Sequence, residues 1–384
     1  MNRGTVWGQI DVTTHTAANI IFSGQLLNFD VRLMRTSFVY QLSGEVVKNY
    51  SYPAESVILC AENVVIHRNV KLSIGVGSTV LLERNVEVLV FGTLESKGSR
   101  DSPVSWMAAN RDKPWGGIAF VGGHGLFLET FIIEGGSHGQ RLSRHRLPPF
   151  GHQKDAPIVS VGQKASFSCN GCYIFNCVGQ GITGRLSAVT LKRTLLTGLS
   201  MGTELYDCTV KINSSLLTEF PTAERKFADN DNDAFYGVGG TMSLFRSVFS
   251  FAKDDCFDSG TGSGGDVIAE DCLFENCFHE GVAITNKKGK SKHVVIRNCT
   301  FSGNQQGIEL GWSTTSTQLT VSDSLFSRNQ VAARFGDNYG APINGYMTVN
   351  NCSFYGNVAD VLILPLNKNE AVNASSGHVR CRSE

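Results

Sequence analysis

A six-residue string recurs at near-constant intervals, and it limits the fold more than any other feature. The pattern is hydrophobic-x-x-Cys/Ser-x-Phe. It occurs at Leu244–Phe249, Ala269–Phe274, Ile296–Phe301, Val321–Phe326 and Val349–Phe354. The phenylalanines fall 25, 27, 25 and 28 residues apart, and weaker copies stand at Ser168–Ile174 and Leu191–Leu196. A period in this range means a solenoid, propeller or array. Each unit carries short alternating apolar runs separated by Gly, Asn or Ser, with no helical i, i+3, i+4 spacing. Two or three short strands per unit are too few for a four-stranded blade and fit one coil of a parallel β-helix. Coils would stack about 4.8 Å apart. Equivalent residues then form ladders: Phe on Phe, Cys or Ser on Cys or Ser, and Asn304, Asn329 and Asn357 at a turn. Asn suits that turn because it tolerates the left-handed conformation.

The upstream runs Val57–Cys60, Val64–His67, Val70–Ile74, Val80–Leu82, Leu89–Leu94 and Trp115–Phe120 continue the strand-like series. With "LSIGVGSTVLL", "VEVLVFGTLESKGSRDSPVSW" and "WGGIAF", this stretch resembles the opening coils of right-handed parallel β-helix proteins of the pectin-lyase-like kind. The resemblance covers about residues 50–364. It implies an all-β, single-stranded right-handed parallel β-helix of roughly 25-residue coils, and a secreted location. The chain of 384 residues then reads as one elongated domain over 51–364. A β or cap segment precedes it over 1–50, and a polar tail or cap follows over 365–384.

Composition removes several function classes. Formal net charge is zero, so electrostatics give no case for nucleic acid. No run approaches 18 apolar residues, so no membrane span is expected, and residues 1–30 lack the layout of a signal peptide. The protein is expected to be monomeric or part of a longer multidomain chain. Of 11 Cys, Cys172, Cys272, Cys299 and Cys352 take the inward ladder position and read as small packing residues. Cys169 and Cys172 form a lone CxxC without partners of metal-site spacing. Sequons stand at Asn49, Asn213, Asn298, Asn351 and Asn373. Residues 138–154 interrupt the repeat with a basic insertion carrying His138, His145 and His152. A surface loop out of a rigid solenoid is a common place for function, and equally reads as a solvated loop.

Chemistry concentrates in one place. Aligning coils on the strand after each Phe brings Cys256-Phe-Asp-Ser, Gly281-Val-Ala-Ile, Gly307-Ile-Glu-Leu and Ala332-Ala-Arg-Phe into register. Phe257, Val282, Ile308 and Ala333 then point inward, and Asp258, Ala283, Glu309 and Arg334 outward. Glu309 and Arg334 read as a cross-strand ion pair. The turn before this strand has two residues after Asn304 and Asn329, but three after Ala252 (Lys253, Asp254, Asp255) and three after Cys277 (Phe278, His279, Glu280). Extra residues of this kind re-aim side chains and are common beside active sites. Asp255 becomes a neighbour of Glu280 with Asp233 one coil earlier, and Asp254 stacks near His279. Carboxylates so close either share a cation or hold a proton at neutral pH. The first outcome is a calcium site; the second supplies the paired acid and base that glycoside hydrolysis needs. The plainer alternative is that turn Asp residues only hydrogen-bond backbone.

Asp254-Asp255-Cys256, with Asn232-Asp233 a coil earlier and His279 a coil later, resembles polygalacturonases. That resemblance implies Asp233, Asp254 and Asp255 as acid and water-activating carboxylates, with His279 assisting; Glu280 joins them as a candidate catalytic residue from register alone. Phe278 and Glu280 stand where that family has glycines, and Glu309-Leu-Gly311 stands where it has the Arg-x-Lys that grips a uronate. These departures point toward a neutral sugar or another use of the cluster. Asp254, Asp255 and Asp258, with Asp231 or Asp233 earlier, also resemble the calcium ligands of pectate lyases; a lyase base would come from Lys287–Lys292. Lys287, Lys288, Lys290, Lys292 and Tyr236 are the expected substrate-binding residues. Expected functions are therefore cleavage of a polysaccharide by paired carboxylates, a non-catalytic β-helix module binding glycan or protein, or a calcium-dependent polysaccharide lyase. Cofactor expectations are none, or calcium.

Overall fold

The structure is a computed structural model that describes residues 4–6, 27–29, 39–136, 155–221, 231–260, 264–287, 290–336, 343–363 and 378–382. The insertion at 138–154 with its three histidines, and Lys288, lie outside the described residues. Every described element is a β-strand, and no helix is long and apolar enough to cross a membrane.

A coil consists of three strands, as in Phe235–Val238, Thr241–Phe245 and Val248–Ala252. First and second strands join one 25-stranded sheet, and third strands form a 13-stranded one. Pairing between successive coils is parallel, and the chain makes a parallel β-helix. The helix begins earlier than the repeat suggests, because Val39–Gln41, Gly44–Val46 and Tyr50–Tyr52 already pair with the following coil. At the other end, His378–Arg382 lies antiparallel on Ile343–Asn350. Part of the tail thus adds a strand to the last second-strand edge.

The phenylalanine ladder sets the register. Phe249, Phe274, Phe301, Phe326 and Phe354 are successive Cα partners. Their rings stack with centroids 5.3, 5.4, 4.6 and 5.2 Å apart. Offset stacking adds to area burial, and removing one such ring from a core costs about 3–5 kcal/mol.

The small-residue ladder does more than pack. Cys272 N–H donates to Cys299 Sγ at 3.4 Å and Cys299 N–H to Ser324 Oγ at 3.1 Å, so each side chain caps the amide of the preceding coil. Cys172 departs from the expectation of a free packing thiol, being bridged to Cys169.

The asparagine ladder forms, but for a different reason from the one expected. The left-handed residue is the one before each Asn: Gly303 (φ 70°), Arg328 (φ 56°) and Gly356 (φ 64°). The Asn side chains instead bond between coils. Asn329 Oδ1 accepts from Asn304 N at 3.0 Å, and Asn304 Nδ2 donates to the Phe274 carbonyl at 3.0 Å. Buried backbone groups at the turn are thereby paired.

Candidate acid–base site

The Asn column is interrupted where the turn is lengthened. Ala252 and Cys277 hold the Asn position in the two coils that carry the acids. Cys277 is bridged to Cys256, which clamps one acid-bearing coil to the next. Carboxylates take over the inter-coil bonds: Asp233 Oδ1 accepts from Asp255 N at 3.1 Å, and Asp255 Oδ1 accepts from Glu280 N at 2.7 Å. Gly281 follows as the second residue of the strand Glu280–Asn286, where an added Cβ would lie 2.4 Å from the Gly307 carbonyl oxygen. Only glycine permits that approach.

Five residues singled out by register converge. His279 Nδ1 lies 3.4 Å from Asp254 Oδ1 and 3.6 Å from Asp255 Oδ1, and is in contact with Glu280 Oε2. His279 N–H also donates to the Asp254 carbonyl at 3.2 Å. Asp233, Asp254, Asp255 and Glu280 are all buried, whereas the His279 side chain is 28% exposed. The imidazole is the cluster's face to solvent.

Burial at this density forces protons to be shared. Burial, then Glu280 and Asp254, hold the Asp255 carboxyl well above the usual carboxylate range. Burial would push Glu280 the same way, but hydrogen bonds from His279 and Asp255 outweigh it and its pKa falls. Burial opposes a charge on His279 and is overridden by hydrogen bonds to Asp254 and Glu280, which raise it to about 10. Glu280 is therefore the anion, with a protonated Asp255 on one side and an imidazolium on the other.

Glu309 extends the cluster, and the sequence reading gave it only a structural role. It pairs in register with Arg334, whose guanidinium lies 3.1 Å away, as the register implies. Both side chains are nonetheless buried. Burial and the neighbouring Glu280 raise Glu309 well above its ordinary range, against the pull of Arg334. Arg334 also donates to Gln306 Oε1 at 2.7 Å. A charged residue facing a charged residue at strand register was the available signal; strand alternation gives the side of the sheet, not the depth of cover.

Other expected site residues lie elsewhere. Lys292 is 1% exposed. Its Nζ donates to the Ser259 carbonyl, Ser259 Oγ and the Thr285 carbonyl at 3.2, 3.1 and 2.7 Å, and burial lowers its pKa to about 8. It is a buried cation whose ammonium is taken up by these three oxygens. Tyr236 is buried against Tyr206, ring centroids 5.8 Å apart, and burial raises its hydroxyl pKa. Lys287 lies 3.7 Å over the Trp312 ring, a cation–π contact. Lys290 is exposed.

The calcium set fares similarly. The ligand atoms that gather within 4.8 Å of one another belong to Asp254, Asp255 and His279. Asp258 Oδ1 accepts from Gly260 N at 2.7 Å, and Asp231 is a half-buried left-handed residue. Calcium takes six to eight oxygens. Two carboxylates and an imidazole supply fewer oxygens than that.

A cavity of about 550 Å³ lies beside this turn, lined by Phe278 and by Glu219 but by none of the clustered acids.

Residues 225–359 match a family model described as "Right handed beta helix region". The chain is a right-handed parallel β-helix. No curated protein matches the sequence. Among solved structures, it is similar to the periplasmic alginate epimerase AlgG in a double mutant, at 11% identity and TM-score 0.43, over 82% of this chain and 78% of that one. It is also similar to the mannuronan C-5 epimerase AlgE4 A-module of Azotobacter vinelandii, at 12% identity and TM-score 0.38, over 82% and 89%. An alginate lyase from Paenibacillus sp. str. FPU-7 aligns at 12% identity and TM-score 0.26, over 68% and 91%.

Proposed function

We propose that the protein is a polysaccharide-active β-helix enzyme that cleaves a glycosidic bond at the lengthened turn. One observation carries the reading: a partly exposed imidazole, His279, is backed by the buried pair Asp255 and Glu280 and faces a further carboxylate, Asp254, at 3.4 Å. Proton donor and acceptor sit side by side, the donor partly exposed and the acceptor buried behind it, within the reach that general acid–base catalysis requires. In the proposed step His279 gives its proton to the glycosidic oxygen as the C–O bond breaks. Asp254 takes a proton from the water whose oxygen forms the new bond to the sugar carbon. That proton returns from Asp254 to His279. Asp255, Glu280 and Glu309 do not touch the sugar; they hold the proton balance. Asp233 positions Asp255 through its backbone N–H.

The oxygens of Asp254 and Asp255 are within 4.8 Å, short of the roughly 6.5–9.5 Å that admits a water between two catalytic carboxyls. That spacing disfavours the Asp pair as the working couple; the 3.4 Å between His279 and Asp254 admits no water between them either, so in the proposed step the attacking water lies to one side of that couple. The disulfides Cys169–Cys172 and Cys256–Cys277 suit an oxidising, extracytoplasmic compartment.

A second reading has its own support. Asp233 and Asp255 cap backbone amides between coils much as the Asn ladder does, which is what a non-catalytic glycan- or protein-binding module would need. Reducing-end release from a panel of neutral and acidic polysaccharides decides between them. The enzyme reading expects release by the wild type and a loss of at least 100-fold in Asp254→Asn with unchanged far-ultraviolet dichroism. Release by neither protein on any polymer leaves the binding module standing. A product absorbing in the ultraviolet would instead mark elimination, and the hydrolytic step would fall.

A further inference from the structure

We propose that the cavity beside the acid turn is a separate groove that binds a neutral polysaccharide chain along the axis of the helix. Its walls come from one structural position repeated on five coils. Glu219, Phe251, Asn276, Gly303 and Arg328 line it; each stands within or just past the end of its third strand and has left-handed backbone, at φ 62°, 51°, 54°, 70° and 56°. Register puts them one above another. From Glu219 to Arg328 the groove runs roughly 19 Å at about 4.8 Å per coil, long enough for several sugar units rather than one.

The occupants of this corner are unusual. Gly and Asn suit a left-handed corner, and the same column has Asn176 and Gly198 before it and Gly356 after it. Among the described residues Phe251 is the one aromatic with left-handed backbone. It is also 50% exposed. Neither backbone preference nor core packing selects Phe there. A strained, solvent-facing ring is the kind of outlier from which a binding role is inferred. Phe278 adds a second ring to the wall, and the amides of Asn276, Gln305 and Gln330 add hydrogen-bonding groups.

Ring faces flanked by uncharged amides match a sugar's apolar face and its hydroxyls. The two charges are already engaged: Glu219 Oε2 accepts from Thr197 Oγ1 at 3.3 Å, and Arg328 donates to Ser302 Oγ at 3.0 Å with Glu275 close by. One acid and one base leave no field selecting an anionic polymer. A peptide strand is disfavoured as well, because corner amides are paired to the next coil: Asn276 N–H to Ser302, Gly303 N–H to Ser327 and Arg328 N–H to Tyr355. No free edge remains for strand addition.

The inference rests on the polysaccharide reading for its class of ligand, not on cleavage, and affinity electrophoresis separates the two. Wild type, Asp254→Asn and Phe251→Asn are run in gels containing galactomannan, xyloglucan or dextran, and in gels with polygalacturonate or alginate. The groove predicts retardation of wild type and Asp254→Asn alike by at least one neutral polymer, and at least ten-fold weaker retardation of Phe251→Asn. Since Asn fits the corner, Phe251→Asn should melt no lower than wild type. If it does melt lower, Phe278→Ala replaces it, with the same ten-fold loss expected. Equal retardation of wild type and the Phe variants, retardation by acidic polymers alone, loss of retardation in Asp254→Asn, or no retardation by any polymer would each overturn the proposal. Groove binding without cleavage would remove the catalytic reading and leave this one.

Discussion

Glu309 and Arg334 show how much a single position can hide. Register alone set them opposite each other, and the 3.1 Å contact agrees. What register could not supply was depth. An exposed pair of this kind contributes about 0–1 kcal/mol, whereas removing one partner of a buried pair costs about 3–5 kcal/mol. Arg334→Met should therefore lower unfolding stability by about that amount in urea titration, because Glu309 and Gln306 lose their buried donor. Replacing Glu309 by Leu in the same chain should recover much of the loss. A single-variant cost under about 1 kcal/mol would return the pair to the surface class. Lys292 teaches the same lesson in reverse. Its place in a Lys-rich run suggested a solvent-facing cation, but it occupies an inter-coil position where backbone carbonyls solvate it.

At the scale of the element, the lengthened turn was legible because a repeat makes insertions countable. Counting from each Phe gave the extra residue after Ala252 and Cys277, and with it the adjacency of Asp255 to Glu280 and of Asp254 to His279. Two features escaped. The Asn ladder works through its amides, not through backbone conformation, and nothing in an Asn-rich turn distinguishes the two uses. The bridge between Cys256 and Cys277 escaped because Cys277 replaces Asn in the column and Cys256 stands at the far end of a turn, just before the strand Phe257–Asp258. Pairing them needed the fold of the turn, not its spacing. This bridge closes a separation of 21 residues, for which chain entropy gives about 3 kcal/mol. Cys256→Ser with Cys277→Ser should lower stability by about that amount in denaturant titration, and hydrogen exchange should quicken first in residues 253–256 and 278–281. Unchanged exchange there would mean that the carboxylate ladder alone holds the turn.

For the whole molecule, the repeat gave the architecture and the coil length, since a 25-residue unit that cannot bury its own face must stack. The ends were less legible: the first coils and the antiparallel strand at His378–Arg382 lack the Phe signature. A solenoid this regular is stabilised by many similar increments, so a strained cluster on three coils can persist, and it should leave a mark on global stability. His279 carries a pKa of about 10 in the folded chain against an ordinary 6.5. Its raised value contributes stability that is full below about pH 6.5 and lost as pH rises through 10, on the order of 4 kcal/mol. Lys292, lowered to about 8, works oppositely between pH 8 and 10.5, but it does so equally in a His279 variant and cancels in the difference. The direct test is thermal unfolding of wild type and His279→Gln from pH 6 to pH 10. A shared-proton cluster predicts a wild-type advantage of several degrees at pH 6 that shrinks toward zero by pH 10. Parallel curves with a constant gap, or no gap at any pH, would contradict it.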